Sequence, residues 1–458
     1  MNFMKSEWIA KSEVLLKLAR ENKLDNDTSS AEKNYLEALK YDYYSKNLRE
    51  EIGEFYKSLS REVEAERVMH TPYVPLDIKT YKMSSQEEYH MSKHLVDKLD
   101  GLGLSPLYVD ECSRSYTMRC PDGYDLLSES LQQHDVFQCI GTEQLLSKST
   151  VRCYGNACFT PNGAFTVDDY YFKENRVTSG SFLRYVFFHP LLGFISDKTQ
   201  KPDKVECDLG FVFQRHPMLN YYHLMVEQAP ALLNYKRYLE PKGVKLIILR
   251  NNYEGLIKQI LSLLSISESS VVWESARYIQ CEYTYKQDAA TNNCNQVVKF
   301  VTNSTVEFFD YLSLQHSVPF RVKKKRIFIS REDSPKRTMK NEKQVFELLE
   351  TFGFEKVILT GMSLTDQIRL FASSEAVVGA HGAGLTNIGF CCPGTFVLEL
   401  TRTFTLGRLR IFWDLAIIKK LKYSVVCAED SVNDHAAPFE APVDKISELL
   451  SNVFVKNK

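Results

Sequence analysis

Long apolar runs are missing from this chain: nowhere do about 18 uninterrupted apolar residues occur, which excludes an ordinary transmembrane helix. The first twenty residues carry Lys5, Glu7, Lys11, Glu13, Lys17 and Arg20, so no secretory apolar core can be read there. The expected location is the cytoplasm, with peripheral contact at the inner face of a membrane as its extension. Net charge is also missing, because 57 Lys plus Arg face 58 Asp plus Glu. No overall field draws in nucleic acid, and any polyanion site must be local. The 11 cysteines contain no C-x-x-C pair, so a reduced, zinc-free chain is expected. Gly-x-Ser-x-Gly, G-x-G-x-x-G, Walker A and H-E-x-x-H are all absent. Esterases of the elbow type, nicotinamide dehydrogenases, P-loop enzymes and zincins are thereby set aside. Asp-x-Asp occurs once, at Asp25-Asn26-Asp27, where it reads as a polar loop between helices.

What is present suits a folded chain of several units. At roughly 150 residues per domain, 458 residues suggest about three. An apolar share of 44% with 25% charged residues argues against disorder. Residues 1–70 lack proline and hold one glycine, Gly53, which predicts helices. Leu36, Leu39 and Tyr43, then Leu48, Ile52, Phe55, Tyr56 and Leu59, follow helical spacing and resemble one weak tetratricopeptide-like pair. This extension packs on the main body or offers a protein or membrane contact. Pro72 and Pro75 end it. The expected units are a helical extension at 1–70, an acceptor-side α/β domain at 76–240, a Rossmann-like domain at 241–440 and a C-terminal amphipathic helix at 441–458. Strands are expected at Tyr185–Phe188, Leu209–Phe213, Val244–Leu249, Arg326–Ser330, Lys356–Thr360, Ala376–Gly379 and Thr395–Leu400. Helices are expected at Glu342–Phe352, Leu364–Phe371 and Val443–Val453.

The most informative segment runs from Glu375 to Asn387: an apolar strand enters a turn holding His381, Gly382, Ala383 and Gly384, then a helical stretch through Leu385, Thr386 and Asn387. Glycines let backbone N–H groups approach a ligand, and a helix start favours a phosphate. The bland alternative is a tight turn in which His381 caps the helix. A second element is the strand ending in Ser330-Arg331, followed by Lys336, Arg337 and Lys340. Arg331 and Arg337 are candidates for a diphosphate clamp, because a guanidinium grips two oxygens at once. A third is Asn220-Tyr221-Tyr222-His223-Leu224-Met225-Val226-Glu227. On a helix, Asn220, His223 and Glu227 share one face. That arrangement suits proton abstraction from a hydroxyl, two metal ligands, or a plain structural hydrogen bond.

These elements, with Asn341-Glu342, Gln367, Cys392-Pro393-Gly394-Thr395 and Glu399-Leu400, resemble glycosyltransferase family 61. The resemblance implies a GT-B-like pair of Rossmann-like domains that transfers a sugar, with inversion, from a nucleotide sugar such as a UDP-sugar. The acceptor would be a hydroxyl of a glycan, lipid-linked glycan or glycoprotein. Glu227 stands where the family keeps a carboxylate, which points to it as the base, with His223 assisting and Asn220 orienting. Glu399, by analogy with dinucleotide sites, is expected to accept from ribose hydroxyls, with a buried pairing to Arg331 as the alternative. Without a suitable Asp-x-Asp, transfer is expected to need no metal and no cofactor beyond the nucleotide-sugar co-substrate. The competing expectation is a non-catalytic scaffold that uses the N-terminal helices beside an inactive transferase body.

Overall fold

The computed structural model describes residues 2–41, 46–62, 65, 82–84, 107–108, 115–146, 150–159, 165–167, 170–172, 209–213, 220–250, 252–274, 279–288, 301–316, 325–334, 336–434 and 436–454. The expected strand Tyr185–Phe188 and the break around Pro72 and Pro75 lie outside them. No helix among the described residues is long and apolar enough to cross a membrane.

Three helices come first: α1 (Asn2–Leu24), α2 (Thr28–Tyr41) and α3 (Lys46–Ser58). Their small core takes Ala31, Tyr35 and Ala38 from α2, and Leu48, Ile52, Phe55 and Tyr56 from α3. The α3 stripe is the expected one. In α2 Leu36 is half-buried and Tyr35 with the alanines fills the core, where Ser12 Oγ of α1 reaches Ala38 O at 2.9 Å; the side chains of Leu39 and Tyr43 lie outside the described residues. Arg20 binds both oxygens of Glu51 on α3, and Tyr56 donates to Glu32 of α2. Asp25-Asn26-Asp27 sits between α1 and α2, where Asp27 caps the second helix through the Ser30 N–H.

Among the described residues sixteen strands follow. β1 (Lys82–Ser84), β2 (Leu107–Tyr108), β5 (Thr150–Phe159), β6 (Phe165–Val167), β7 (Tyr170–Phe172), β8 (Leu209–Phe213), β9 (Lys245–Leu249), β10 (Val271–Glu274) and β11 (Ile279–Asp288) make a mixed nine-stranded sheet. β3 (Ser115–Thr117) pairs with β4 (Glu143–Leu145), and five more form a second sheet. In that sheet β8, β9 and β10 run parallel, β8 pairs parallel with β11, and β11 pairs antiparallel with β5. Pairing therefore crosses residue 241 without a break. The change of sheet falls between 288 and 325, later than composition suggests.

The second sheet contains β12 (Lys325–Ile329), β13 (Phe354–Val357), β14 (Ser374–Ala380), β15 (Phe396–Arg402) and β16 (Lys422–Ala428), all parallel, in the order β13-β12-β14-β15-β16. Counted from β12 as one, this is the doubly wound order 2-1-3-4-5. Ligands of such sheets sit at the carboxyl ends of strands one and three, where the order reverses; here those ends carry Arg331 and His381.

Alternation along each strand separates two cores. Ile327, Val377, Val397 and Val425 join the large cluster that also holds Phe211, Leu246 and Ile248 of the first sheet. Phe328, Val378, Leu398 and Val426 face Ile446, Leu449 and Leu450 of the last helix, Val443–Phe454. An early segment also leans on this unit: Asp122 pairs beside Ser424, and Trp413 Nε1 donates to Arg119 O at 3.1 Å. The large core thus draws on residues from both sides of residue 240.

Helix Asn303–His316 lies against the tight helical stretch Ala383–Phe390. A methyl on Gly389 would sit 2.6 Å from the ring of Phe309, which is fully buried. Gly389→Ala is expected to lower unfolding free energy by about 1–3 kcal/mol through overpacking, read by urea denaturation. An unchanged midpoint would contradict this contact.

Candidate functional site

The strand β12 ends where a buried carboxylate holds it. Glu342, at the start of helix Glu342–Thr351, accepts from Ser330 Oγ and, at 3.3 Å, from the Arg331 N–H. Asn341 beside it binds Ala441 in both directions, at 2.8 and 2.9 Å. Arg331 Nη2 donates to Ser334 Oγ and Lys336 O at 2.8 and 2.9 Å, and these bonds turn the guanidinium back over the sheet end. It comes to rest on Gly382, in the space that a side chain would fill. The missing side chain permits this close approach; the Gly382 backbone itself is extended and would suit any residue.

Arg337 adopts the left-handed region at φ 56°, held by its N–H to Ala436 O at 2.9 Å. The Nε atoms of both Arg331 and Arg337 are buried with no protein acceptor. Burial, then Arg331 and the exposed Arg408, push Arg337 down to about 10, with Glu399 acting the other way. Arginines are crowded together and partly desolvated here, which is costly unless an anion joins them.

Across the turn, His381 Nδ1 meets Glu399 Oε1 at 2.5 Å. His381 therefore does not cap the helix with this nitrogen. Glu399 is fully buried, and its other oxygen accepts from Tyr423 O–H at 2.7 Å. The structure departs here from both expectations for Glu399: it presents no exposed oxygen to a ribose, and its bonded partners are His381 and Tyr423 instead of Arg331. The reason is its place midway along β15, flanked by β14 and β16, inside the sheet rather than on its rim. Within the loop, Ala383 and Gly384 are half-buried, while Leu385 belongs to the core and Thr386 is fully buried. Asn387 donates to Gln367 Oε1 at 2.8 Å and accepts from Tyr221 O–H at 2.5 Å. These three residues hold the helical stretch in place and do not face the turn's mouth.

The Tyr221 bond joins the second wall. From His223 to Gln228 the helix widens, with Ala229 N–H reaching back five residues to Leu224 O at 2.7 Å. Such widened turns occur often at functional sites. Asn220 Oδ1 accepts the His223 N–H at 3.1 Å, and His223 Nδ1 lies 2.6 Å from Glu227 Oε1. Burial raises Glu227 above the usual carboxylate range, while the hydrogen bond and charge of His223 lower it. The ring of Tyr222 touches His223 and Phe412, and Phe412 touches His381 at 5.4 Å between centroids. Two His–Glu pairs thus flank a shared aromatic contact.

Sequence reasoning found His223, Glu227, Arg331, Arg337, His381 and Gly382 in this region, and missed Tyr221, Phe412, Tyr423 and Arg408. Tyr221 and Arg408 lay within reach of the motifs; Phe412 and Tyr423 carried no spacing signal. The arrangement sets Gly382 with Arg331 at the sheet's switch point, and links His381 to the partly buried His223–Glu227 pair through the rings of Phe412 and Tyr222.

Residues 221–398 match the family described as Glycosyltransferase 61. A beta-1,2-xylosyltransferase of Arabidopsis thaliana is 29% identical over 126 residues, covering 25% of this chain and 22% of that protein. The matched stretch thus spans about a fifth of that relative's length.

Proposed function

From the membership of residues 221–398 in glycosyltransferase family 61, we propose that the chain is a glycosyltransferase that moves a hexosyl or pentosyl group from a nucleotide sugar, such as a UDP-sugar, to a glycan hydroxyl. The observation that carries the reading is the Arg331 guanidinium seated on Gly382 at the switch point of the second sheet. A diphosphate there meets two arginines with unused Nε atoms and the positive end of the following helix. The two sheets would then form the halves of a GT-B arrangement, with the donor on the second and the acceptor entering from the side of the first.

Transfer requires the departing diphosphate to be stabilised and the acceptor hydroxyl to lose its proton. Arg331 and Arg337 do the first, and the Glu227–His223 pair does the second. Asn220 fixes the backbone of His223. A base on one wall and a leaving-group cradle on the other suit a single displacement, and so inversion at the sugar carbon.

Metal-independent transfer is part of the proposal. The charge that a cation would supply is already present as guanidinium, and among the described residues no three His, Cys, Asp or Glu side chains converge to hold a metal. Initial rates are expected to be unchanged by EDTA; activity restored only by Mn²⁺ or Mg²⁺ would contradict this. A thermal-shift panel of nucleotides and nucleotide sugars tests the donor class, since a ligand of the folded form raises the midpoint with occupancy. A midpoint indifferent to all of them would remove the reading.

A further inference from the structure

Two side chains on adjoining strands and His381, just past the end of β14, form a line of hydrogen bonds at the glycine turn. Tyr423 of β16 donates to Glu399 Oε2, and Glu399 Oε1 faces His381 Nδ1 at 2.5 Å. An ionised carboxylate only accepts, so Nδ1 carries the proton on that bond. Nε2 then lies on the side of the ring away from Glu399; without a proton it offers a phosphate oxygen only a lone pair, and with one it donates. Among the described residues His381 makes no other side-chain hydrogen bond, which leaves Nε2 as the nitrogen for a ligand.

The charged and titratable groups around the ring come from every neighbouring element. Glu399 belongs to β15 and Tyr423 to β16, and Asp414 acts on Tyr423 from helix Arg410–Ile418, whose Phe412 covers the ring. Arg331, lying on Gly382, and Arg337 come from the segment after β12, and Arg408 from the turn after β15. Before an anion arrives, the arginines oppose another positive charge. Once it is seated, a fourth donor facing it is favoured.

We propose that His381 takes up a proton at Nε2 when a diphosphate seats against Gly382 and Arg331, with Glu399 balancing the imidazolium and Tyr423 holding the other oxygen of Glu399. The proton comes from solvent, and no other bond forms or breaks in this step. As the sugar–phosphate bond breaks, its electron pair stays on the diphosphate oxygen, to which Nε2–H donates a hydrogen bond. His381 is then a catalytic residue, and Glu399 and Tyr423 are positioning residues that touch no substrate. Tyr423 lies outside the segment 221–398 that matches the family. This inference rests on the diphosphate reading above.

The test uses the full chain labelled with ¹⁵N-histidine and inorganic pyrophosphate as the probe, with His381 signals assigned by their loss in His381→Gln. The expected result is Nδ1 protonated throughout, and Nε2 moving from the unprotonated to the protonated shift range as pyrophosphate binds. Tyr423→Phe keeps the ring that stacks on Trp413 and is expected to weaken pyrophosphate about tenfold. Should that variant not fold, the Nε2 signal of the unaltered chain still decides. Pyrophosphate that binds in an Arg331-dependent way while Nε2 keeps one protonation state overturns the inference and leaves the diphosphate site standing. A chain that binds no pyrophosphate at all contradicts both.

Discussion

Glu227→Gln is expected to bind the donor nucleotide as tightly as the unaltered chain and to lose turnover by about 10²–10⁴-fold, the range of a lost general base. The change keeps the shape of a side chain that is almost wholly buried and removes its capacity to accept a proton. A loss confined to KM would mean that Glu227 only shapes the wall. The pH profile adds a signed test. A base works unprotonated, so the rate falls as pH drops through the raised value of Glu227, above where an ordinary glutamate would place that limb. His223→Asn removes the hydrogen bond and charge that hold Glu227 down, and should move the acid limb to still higher pH. A limb that stays in place or moves lower would exclude the pair as the proton acceptor.

Arg331→Gln is expected to lower kcat/KM for the sugar donor by about 10²–10³-fold, as when a preorganised donor to a developing anion is removed. Gly382→Ala reaches the same contact from the other side. Its methyl would occupy the place of the Arg331 guanidinium, the far end of a flexible side chain, so the arginine moves and the fold survives. Donor affinity should fall by about tenfold with little change in melting temperature, worth about 1.4 kcal/mol. If Gly382→Ala lowers the melting temperature and spares donor affinity, the glycine serves packing alone.

Local pattern made β9 of the first sheet and much of the second sheet legible. Strands β9, β12, β14 and β15 lie within one or two residues of their expected limits, because each is a short apolar run closed by polar or glycine residues. Strand β13 begins at Phe354 instead of Lys356, since Gly353 at φ 78° ends the preceding helix at once and the chain extends directly. The ten-residue strands β5 and β11 left no such trace. Neither alternates cleanly, and each is specified by a partner more than 100 residues away, as in the pairing of Gly155 with Tyr283. In the site, the glycine turn and the arginine at a strand end were readable, because those residue types are uncommon at such positions without a ligand. Glu399 was not: its partners are fixed by strand order, which places Tyr423 beside it and His381 before it, and no spacing in the chain encodes that. Tyr221 and Asn387, 166 residues apart and bonded at 2.5 Å, are hidden from sequence for the same reason.

The most direct measurement is a crystal of the full chain soaked with a sugar nucleotide, with the phosphate positions refined against the density. The account predicts a diphosphate between Gly382 and Arg331, with the sugar carbon turned toward the wall of His223 and Glu227. Density for the nucleotide elsewhere, with that corner occupied by solvent alone, would contradict it.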